Sequence, residues 1–214
     1  MNYETRWDFF KPYVEDKIVL DIGPAELVGT INYHKMPRWI HGKITKVAKQ
    51  VLGMELNLEQ VQALNEQGYH IVQGNAEDFT LDRKFDVIVA GDLIEHLSNP
   101  GKFLDCAKSH LAEGGKLLIT TPNRYNILTL YTVFRTGIVP QYHKPIAKHV
   151  MYFDSDALTS LLHRHGFSAE THYCKWVGKP REGRRSKLLV NAAFKYRRVL
   201  LPVLAIVAWH KTDD

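Results

Sequence analysis

The feature that most constrains the fold is an alternation. Short apolar runs recur at residues 18–22, 51–56, 70–73, 85–90, 117–121, 169–173 and 203–209, and stretches of helical period separate them. Ile40, Ile44, Val47, Ala48 and Val51 share one helical face behind Pro37, which suits a first turn. Leu58, Val61 and Leu64 repeat that spacing ahead of Gly68. Phe103, Leu104, Ala107 and Leu111 form a third stripe, expected to close at Gly114-Gly115. Asp154 or Ser155 is placed to cap a helix carrying Leu158, Leu161 and Leu162 and ended by Gly166. Strands alternating with helices predict a parallel sheet covered on both faces. Right-handed crossovers leave few topologies for such a sheet. Its ligands sit beyond the carboxyl ends of the strands, where strand order reverses. The strand at 18–22 is expected to border that point.

With 214 residues and 45% apolar content, one domain over residues 1–214 is expected. It would comprise a lead-in at 1–16, a cover over the acceptor side at 125–153 and a basic segment at 175–198. Cys106 and Cys174 are the two cysteines, too few for a disulfide framework. The opening MNYETRWDFF is charged and lacks the apolar stretch of a signal peptide, so a cytoplasmic location is expected. Residues 171–214 hold ten Lys/Arg against three acids, a balance of +7, and the other 170 residues hold 18 against 20, a balance of −2. Basicity therefore belongs to one segment, which suits either a solvated basic face or an anionic partner. The longest charge-free run near the end, residues 199–209, is about half of the ~20 residues that a spanning helix needs. A helix followed by a buried final strand is expected there, with a helix lying on a bilayer surface as the alternative.

The chemistry gathers at strand ends. "VLDIGPAELVG", residues 19–29, starts as a strand and then departs from a glycine-rich loop, since Pro24-Ala25-Glu26-Leu27 follows Gly23. Glu55 ends the second run, where an acid can accept from both hydroxyls of a ribose or serve the following helix dipole. "QGNAEDF", residues 73–79, offers Asn75 and Glu77 as short polar groups after a tight exit at Gly74. "FDVIVAGDLIEHL", residues 85–97, ends a buried strand at Ala90-Gly91, with Asp92, Glu95 and His96 at its mouth. Asn123 and Arg124 stand just past the fifth run.

Taken in order, Asp21-Ile22-Gly23, Glu55, Gly74–Asp78, the 85–90 strand with "DLIEHLSNP", and "AEGGKLLITTPN" resemble the class I S-adenosylmethionine-dependent methyltransferases. The resemblance is strongest to the group that includes the ubiquinone-biosynthesis O-methyltransferases. It covers residues 17–125 well, and "HVMYFDSDALTSLLHRHGFS" extends it. It implies an α/β, Rossmann-like sheet of seven mostly parallel strands in the order 3-2-1-4-5-7-6, with helices on both faces and strand seven antiparallel. It implies S-adenosylmethionine as cofactor. Asp21 and Gly23 would border the methionine part, Glu55 would hold the ribose, and Asn75, Ala76 and Glu77 would surround the adenine. Ala90, Gly91 and Asp92 would line the methionine and methyl group. The family usually reads D-x-G-x-G-x-G, whereas Ala25 and Leu27 occupy the second and third glycine positions here. Ala25 adds one methyl group at a loop that has no pyrophosphate to cradle, and Gly29 offers flexibility further on. Gly23 to Glu55 spans 32 positions, longer than the usual interval of about 20.

An oxygen acceptor needs a base, and His96, His143 and His149 are the candidates. No metal is expected, because Glu95-His96 lacks a second clear pair of ligands. Phe134, Tyr142 and Tyr152 are expected to shape the acceptor cover. The acceptor is expected to be a small molecule or a sugar- or lipid-linked metabolite, with residues 175–198 meeting an anionic or membrane surface. Nucleic acid is disfavoured by the −2 balance of the remaining chain and the lack of a recognisable nucleic-acid module. The alternatives are an RNA methyltransferase using the basic segment and a non-catalytic binding protein that keeps the fold. A nicotinamide enzyme is disfavoured because no G-x-G-x-x-G follows the first strand.

Overall fold

The structure is a computed structural model describing residues 2–25, 39–137, 149–176 and 184–211, with the side chains of 184–187 excepted. In chain order the strands are β1 (Asn2–Thr5), β2 (Ile18–Ile22), β3 (Gln50–Glu55), β4 (Ile71–Gln73), β5 (Phe85–Gly91), β6 (Leu111–Pro122), β7 (Phe167–Trp176) and β8 (Val203–His210). The helices are α1 (Arg6–Val14), α2 (Ile40–Ile44), α3 (Leu58–Glu66), α4 (Pro100–His110), α5 (Ile127–Thr136), α6 (Ser155–Arg164) and α7 (Arg184–Tyr196).

The strands form one sheet in the order β4-β3-β2-β5-β6-β8-β7-β1. The first seven follow the order expected from the resemblance, and β8 runs antiparallel to both β6 and β7. The eighth is a correction. The resemblance implies seven strands, and β1, within the 1–16 lead-in, adds an eighth parallel to the edge of β7. Thr5 then starts α1 with a capping box: its Oγ1 accepts from the Asp8 N–H at 3.2 Å, and Asp8 Oδ2 accepts from the Thr5 N–H at 2.9 Å.

Period-two alternation sorts the core into two layers. Leu20, Ile22, Ile88, Ala90, Leu117, Ile119, Leu204 and Ile206 face α4 and α6, where Phe103, Leu104, Ala107, Leu158 and Leu162 meet them. Val19, Val87, Val89, Leu118, Val203, Ala205 and Val207 face the other way, onto Phe9, Phe10 and Val14 of α1 and Ile40 and Ile44 of α2. β2 and β5 are covered on both faces, and their charged residues stand near strand ends, Asp86 at the amino end of β5 and Asp21 one residue from the carboxyl end of β2.

Two helix readings are corrected. α2 spans five residues, and Val47 and Ala48 fold into a turn on Ile44 O before Val51 enters β3. Gly114-Gly115 do not close α4, which stops at His110. They lie in β6, where Phe85 pairs with Leu111 but Val87 pairs with Lys116, so residues 112–115 bulge out of the ladder. Asp154 caps α6 by accepting from the Ala157 N–H at 2.9 Å, as the sequence suggested.

Replacing Thr5 by Ala should cost about 1 kcal/mol of stability. Urea unfolding of the two proteins side by side checks this; a loss near zero would mean that the box contributes nothing to docking the chain start.

Candidate active site

The carboxyl ends of β2, β3, β4, β5 and β6 bring the expected residues to one rim. Gly23 leaves β2 at φ 74°, a left-handed turn that disfavours a side chain, and its N–H donates to Met54 O at 2.8 Å. This locks the start of the altered loop to the end of β3. Glu55 lies beside it, half-buried. Its Oε1 accepts from the Leu56 and Asn57 N–H groups at 2.9 and 3.1 Å, and its Oε2 has a long 3.4 Å contact from the Ala25 N–H. One carboxylate oxygen is thus committed to the start of α3, and the other faces the loop after β2.

After β4, Asn75 Oδ1 accepts from the Glu77 N–H at 3.0 Å and shapes the turn. Ala76 is buried in the same apolar layer as Met54 and Phe79. Glu77 Oε1 accepts from the Ser98 and Asn99 N–H groups at 2.6 and 3.0 Å, joining this turn to the one before α4. At the end of β5, Ala90 is fully buried, Gly91 has the Phe10 ring beside it, and Asp92 adopts φ 50°. Asp is among the side chains that tolerate that region. Three contacts hold Asp92: its N–H donates to Thr120 O at 2.8 Å, Thr120 Oγ1 donates to Oδ1 at 3.3 Å, and Arg6 donates to Oδ2 at 2.7 Å.

Arg6 was not identified in the sequence. It is buried and comes from the first turn of α1, so the chain start delivers a cation to the β5 rim. The Thr5-x-x-Asp8 spacing was a signal for that helix, but nothing local pointed Arg6 at Asp92. Asp21 turns its side chain inward. It follows Val19 on the layer covered by α1 and α2, is only 4% exposed, and contacts His41 Nδ1 at 2.9 Å.

Beyond the end of β5 lies the short 3-10 helix Ile94–His96. The Glu95 carbonyl accepts from the Val150 and Met151 N–H groups at 2.7 and 3.1 Å, which draws His149 to within 4.7 Å of the His96 ring, centroid to centroid. Two of the three candidate bases therefore meet; His143, Tyr142 and Leu27 lie outside the described residues. Glu95 is 1% exposed, with Oε2 accepting from Thr121 Oγ1 at 2.9 Å and Oε1 unbonded. Burial pushes its carboxyl up to about 8, and the neighbouring Asp92 charge adds to the rise. Glu95, His96 and His149 each offer a ligand atom within 4.8 Å of the others. The sequence spacing had set a metal aside, but the fold supplies a third donor, and these three side chains could hold a divalent cation.

Because the folded Glu95 binds its proton more tightly than the unfolded chain does, stability falls as pH rises from about 4.5 to about 8. Glu95→Gln should remove that slope. In the presence of a chelator, its melting temperature should gain on the wild type by several degrees, on the order expected for a few kcal/mol, between about pH 5 and about pH 8. Parallel curves would place an ordinary carboxylate there.

The model of the methyltransferase-domain family matches residues 8–172. The mitochondrial ubiquinone biosynthesis O-methyltransferase of Rattus norvegicus is 34% identical over 91 residues, covering 41% of this chain and 26% of that protein. The ubiquinone biosynthesis O-methyltransferase of Nitrobacter winogradskyi is 29% identical over 86 residues, covering 37% of this chain and 33% of that one. The chain thus spans about a quarter to a third of the length of these curated relatives. Among solved structures, a Thermotoga maritima methyltransferase described as a possible histamine N-methyltransferase superposes with a TM-score of 0.64 at 17% identity, over 97% of this chain and 88% of that one. An S-adenosylmethionine-dependent methyltransferase from Archaeoglobus fulgidus gives 0.62 at 17% identity, over 95% and 90%. These structures share the fold, and the family match over residues 8–172 places the chain among the class I S-adenosylmethionine-dependent methyltransferases.

Proposed function

We propose that this chain transfers the methyl group of S-adenosylmethionine to a small-molecule or a sugar- or lipid-linked acceptor. The observation that carries the reading is the half-buried Glu55 carboxylate at the end of β3, facing the Gly23 turn with one oxygen in only a long contact. That oxygen suits a ribose hydroxyl. Asp21, Gly23 and Ala25 would border the methionine portion, Asn75, Ala76 and Glu77 the adenine, and Ala90, Gly91 and Asp92 the reacting end. When bound, the cofactor supplies an activated methyl for in-line displacement. The residues of this chain have the remaining tasks: to place the acceptor behind the methyl, to exclude water, and to take a proton where the acceptor must lose one. His149, held beside His96 by the Glu95 carbonyl, is well placed for the last task. Buried Glu95, neutral at pH 7, adds no charge against the approach of an anionic acceptor.

In this reading residues 1–214 act as one catalytic unit with 125–153 as the acceptor cover. An acceptor with an apolar portion fits α5, where Leu130, Tyr131 and Phe134 are exposed, Phe134 at 93%. Ile127 and Leu128 of α5 pack on Val190 and Ala193 of α7, near exposed Lys195, Arg197 and Arg198. Apolar and cationic groups side by side suit an anionic lipid surface or a lipid-linked acceptor. No helix among the described residues is long and apolar enough to cross a membrane.

Glu55→Ala should weaken cofactor binding by roughly 1–3 kcal/mol, since the ribose loses a charged acceptor. Calorimetry on both proteins tests this, and a wild type that fails to bind at millimolar cofactor would overturn the enzymatic reading. Neutralising Arg181, Arg184, Arg185 and Lys187 together should leave cofactor affinity unchanged and reduce binding to anionic vesicles, less so as salt rises. Tight RNA binding by the wild type at physiological salt, lost in that variant, would favour an RNA acceptor instead.

A further inference from the structure

The loop after β2 lacks two glycines of its family pattern, and side chains of α2 and the residue before it reach back to hold what remains. Asp21 pairs in register with Gly53 of β3, on the face covered by α2. Gly53 leaves room there: a Cβ would run into the Ile71 side chain and come within 3.1 Å of His41 Cε1 and 3.3 Å of Pro24 Cγ. His41, 1% exposed, uses that room to bring Nδ1 to 2.9 Å from Asp21 Oδ2. Trp39 is 2% exposed, and its indole Nε1–H donates to Pro24 O at 2.6 Å. Gly42 gives it space, because a Cβ there would run into the indole. The Trp39 ring lies 5.3 Å from His41 and 4.7 Å from Tyr69, and His41 lies 5.6 Å from Tyr69. Ala25 packs against the same cluster.

We propose that Trp39 and His41 are positioning residues for the cofactor loop, holding Asp21 and Pro24 so that the backbone from 21 to 25 is set before the ligand arrives. This rests on the methyltransferase reading above. A loop rich in glycine must surrender its conformational freedom on binding. Here Pro24 fixes its own φ, Trp39 holds the Pro24 carbonyl, and His41 holds the strand end, so that loss is already met on folding. Neither residue needs to touch the cofactor. The Asp21 carboxylate, turned to His41, acts through the loop in the same way, which leaves the backbone at 21 to border the methionine portion.

The test uses the full chain and S-adenosylhomocysteine as probe. Trp39→Phe keeps a ring and removes the N–H. His41→Leu removes the contact to Asp21, while His41→Asn restores a donor close to the Nδ1 position. Affinity is read by calorimetry, global stability by thermal melting, and the loop by hydrogen exchange of a peptide covering residues 21–25. Trp39→Phe and His41→Leu should each weaken binding about tenfold and speed exchange in that peptide while it stays slow in β5 and β6; His41→Asn should recover most of the affinity. Variants that bind as the wild type does, or that lose affinity only in step with melting temperature and with no local change in exchange, would overturn the role while leaving the proposed function standing. A wild type that does not bind overturns that function and this role with it. If His41→Leu does not fold, Trp39→Phe decides the matter by the same readouts.

Discussion

The in-register pairing of β2 between β3 and β5 is the constraint on which the rest depends. It sets Asp21 beside Gly53 and Val89, and Ile22 beside Met54 and Ala90. Three chain segments far apart in sequence therefore end at one level. Because β2 and β5 are buried on both faces, a polar side chain there must find a partner or emerge at the strand end. Asp21 does the first and Asp92 does the second. A slip of one residue in β2 would send Leu20 and Ile22 to the α1–α2 layer and Asp21 into the apolar α4–α6 layer, so the register is strongly specified.

The rim itself is held by a small set of charges with unequal settings. Arg6 and Asp92 form a tight pair on the border of the site, and Asp92 retains some exposure. Glu95 lies deeper, and the closeness of Asp92 adds to the cost of ionising it. Two carboxyl groups three positions apart thus have different settings: Asp92 pairs with Arg6, and the Glu95 carboxyl is buried against Thr121. Asp92 anchors α1 through Arg6, and Glu95, through its backbone carbonyl, holds the segment that brings His149 to His96.

Much of this was legible in the sequence. Runs such as 85–90 and 203–209 carry enough apolar residues to announce buried strands, and Glu55 and Gly23 announce themselves by ending strands in the right order. What the sequence concealed was decided over long range. β1 is a strand because the edge of β7 offers it hydrogen bonds; Asn2-Tyr3-Glu4-Thr5 has no periodicity of its own to reveal it. Val47 and Ala48 mimic a continuing helix because a turn folding back on Ile44 buries the same apolar face. His41 meets Asp21, and Arg6 meets Asp92, across 20 and 86 positions, separations that no local pattern encodes. The grouping of His96 with His149 likewise depends on backbone bonds to the Glu95 carbonyl.

The place of β8 has a consequence for assembly. Among the described residues it is the last strand in sequence, yet it lies between β6 and β7, and β1 and β7 join the remainder of the sheet only through it. A nascent chain that has not yet released residues 203–210 has a β4-β3-β2-β5-β6 half and a β1-β7 edge with no ladder between them. The strand that closes the gap also completes both apolar layers, through Leu204 and Ile206 on one side and Val203, Ala205 and Val207 on the other. Residues 2–5 and the edge strand β7 thus join the rest of the sheet only when residues 203–210 have arrived, so closing the sheet depends on non-local contacts such as those of β8 with β6. Such contacts must meet their loop-closure entropy before they return any stability, which slows folding.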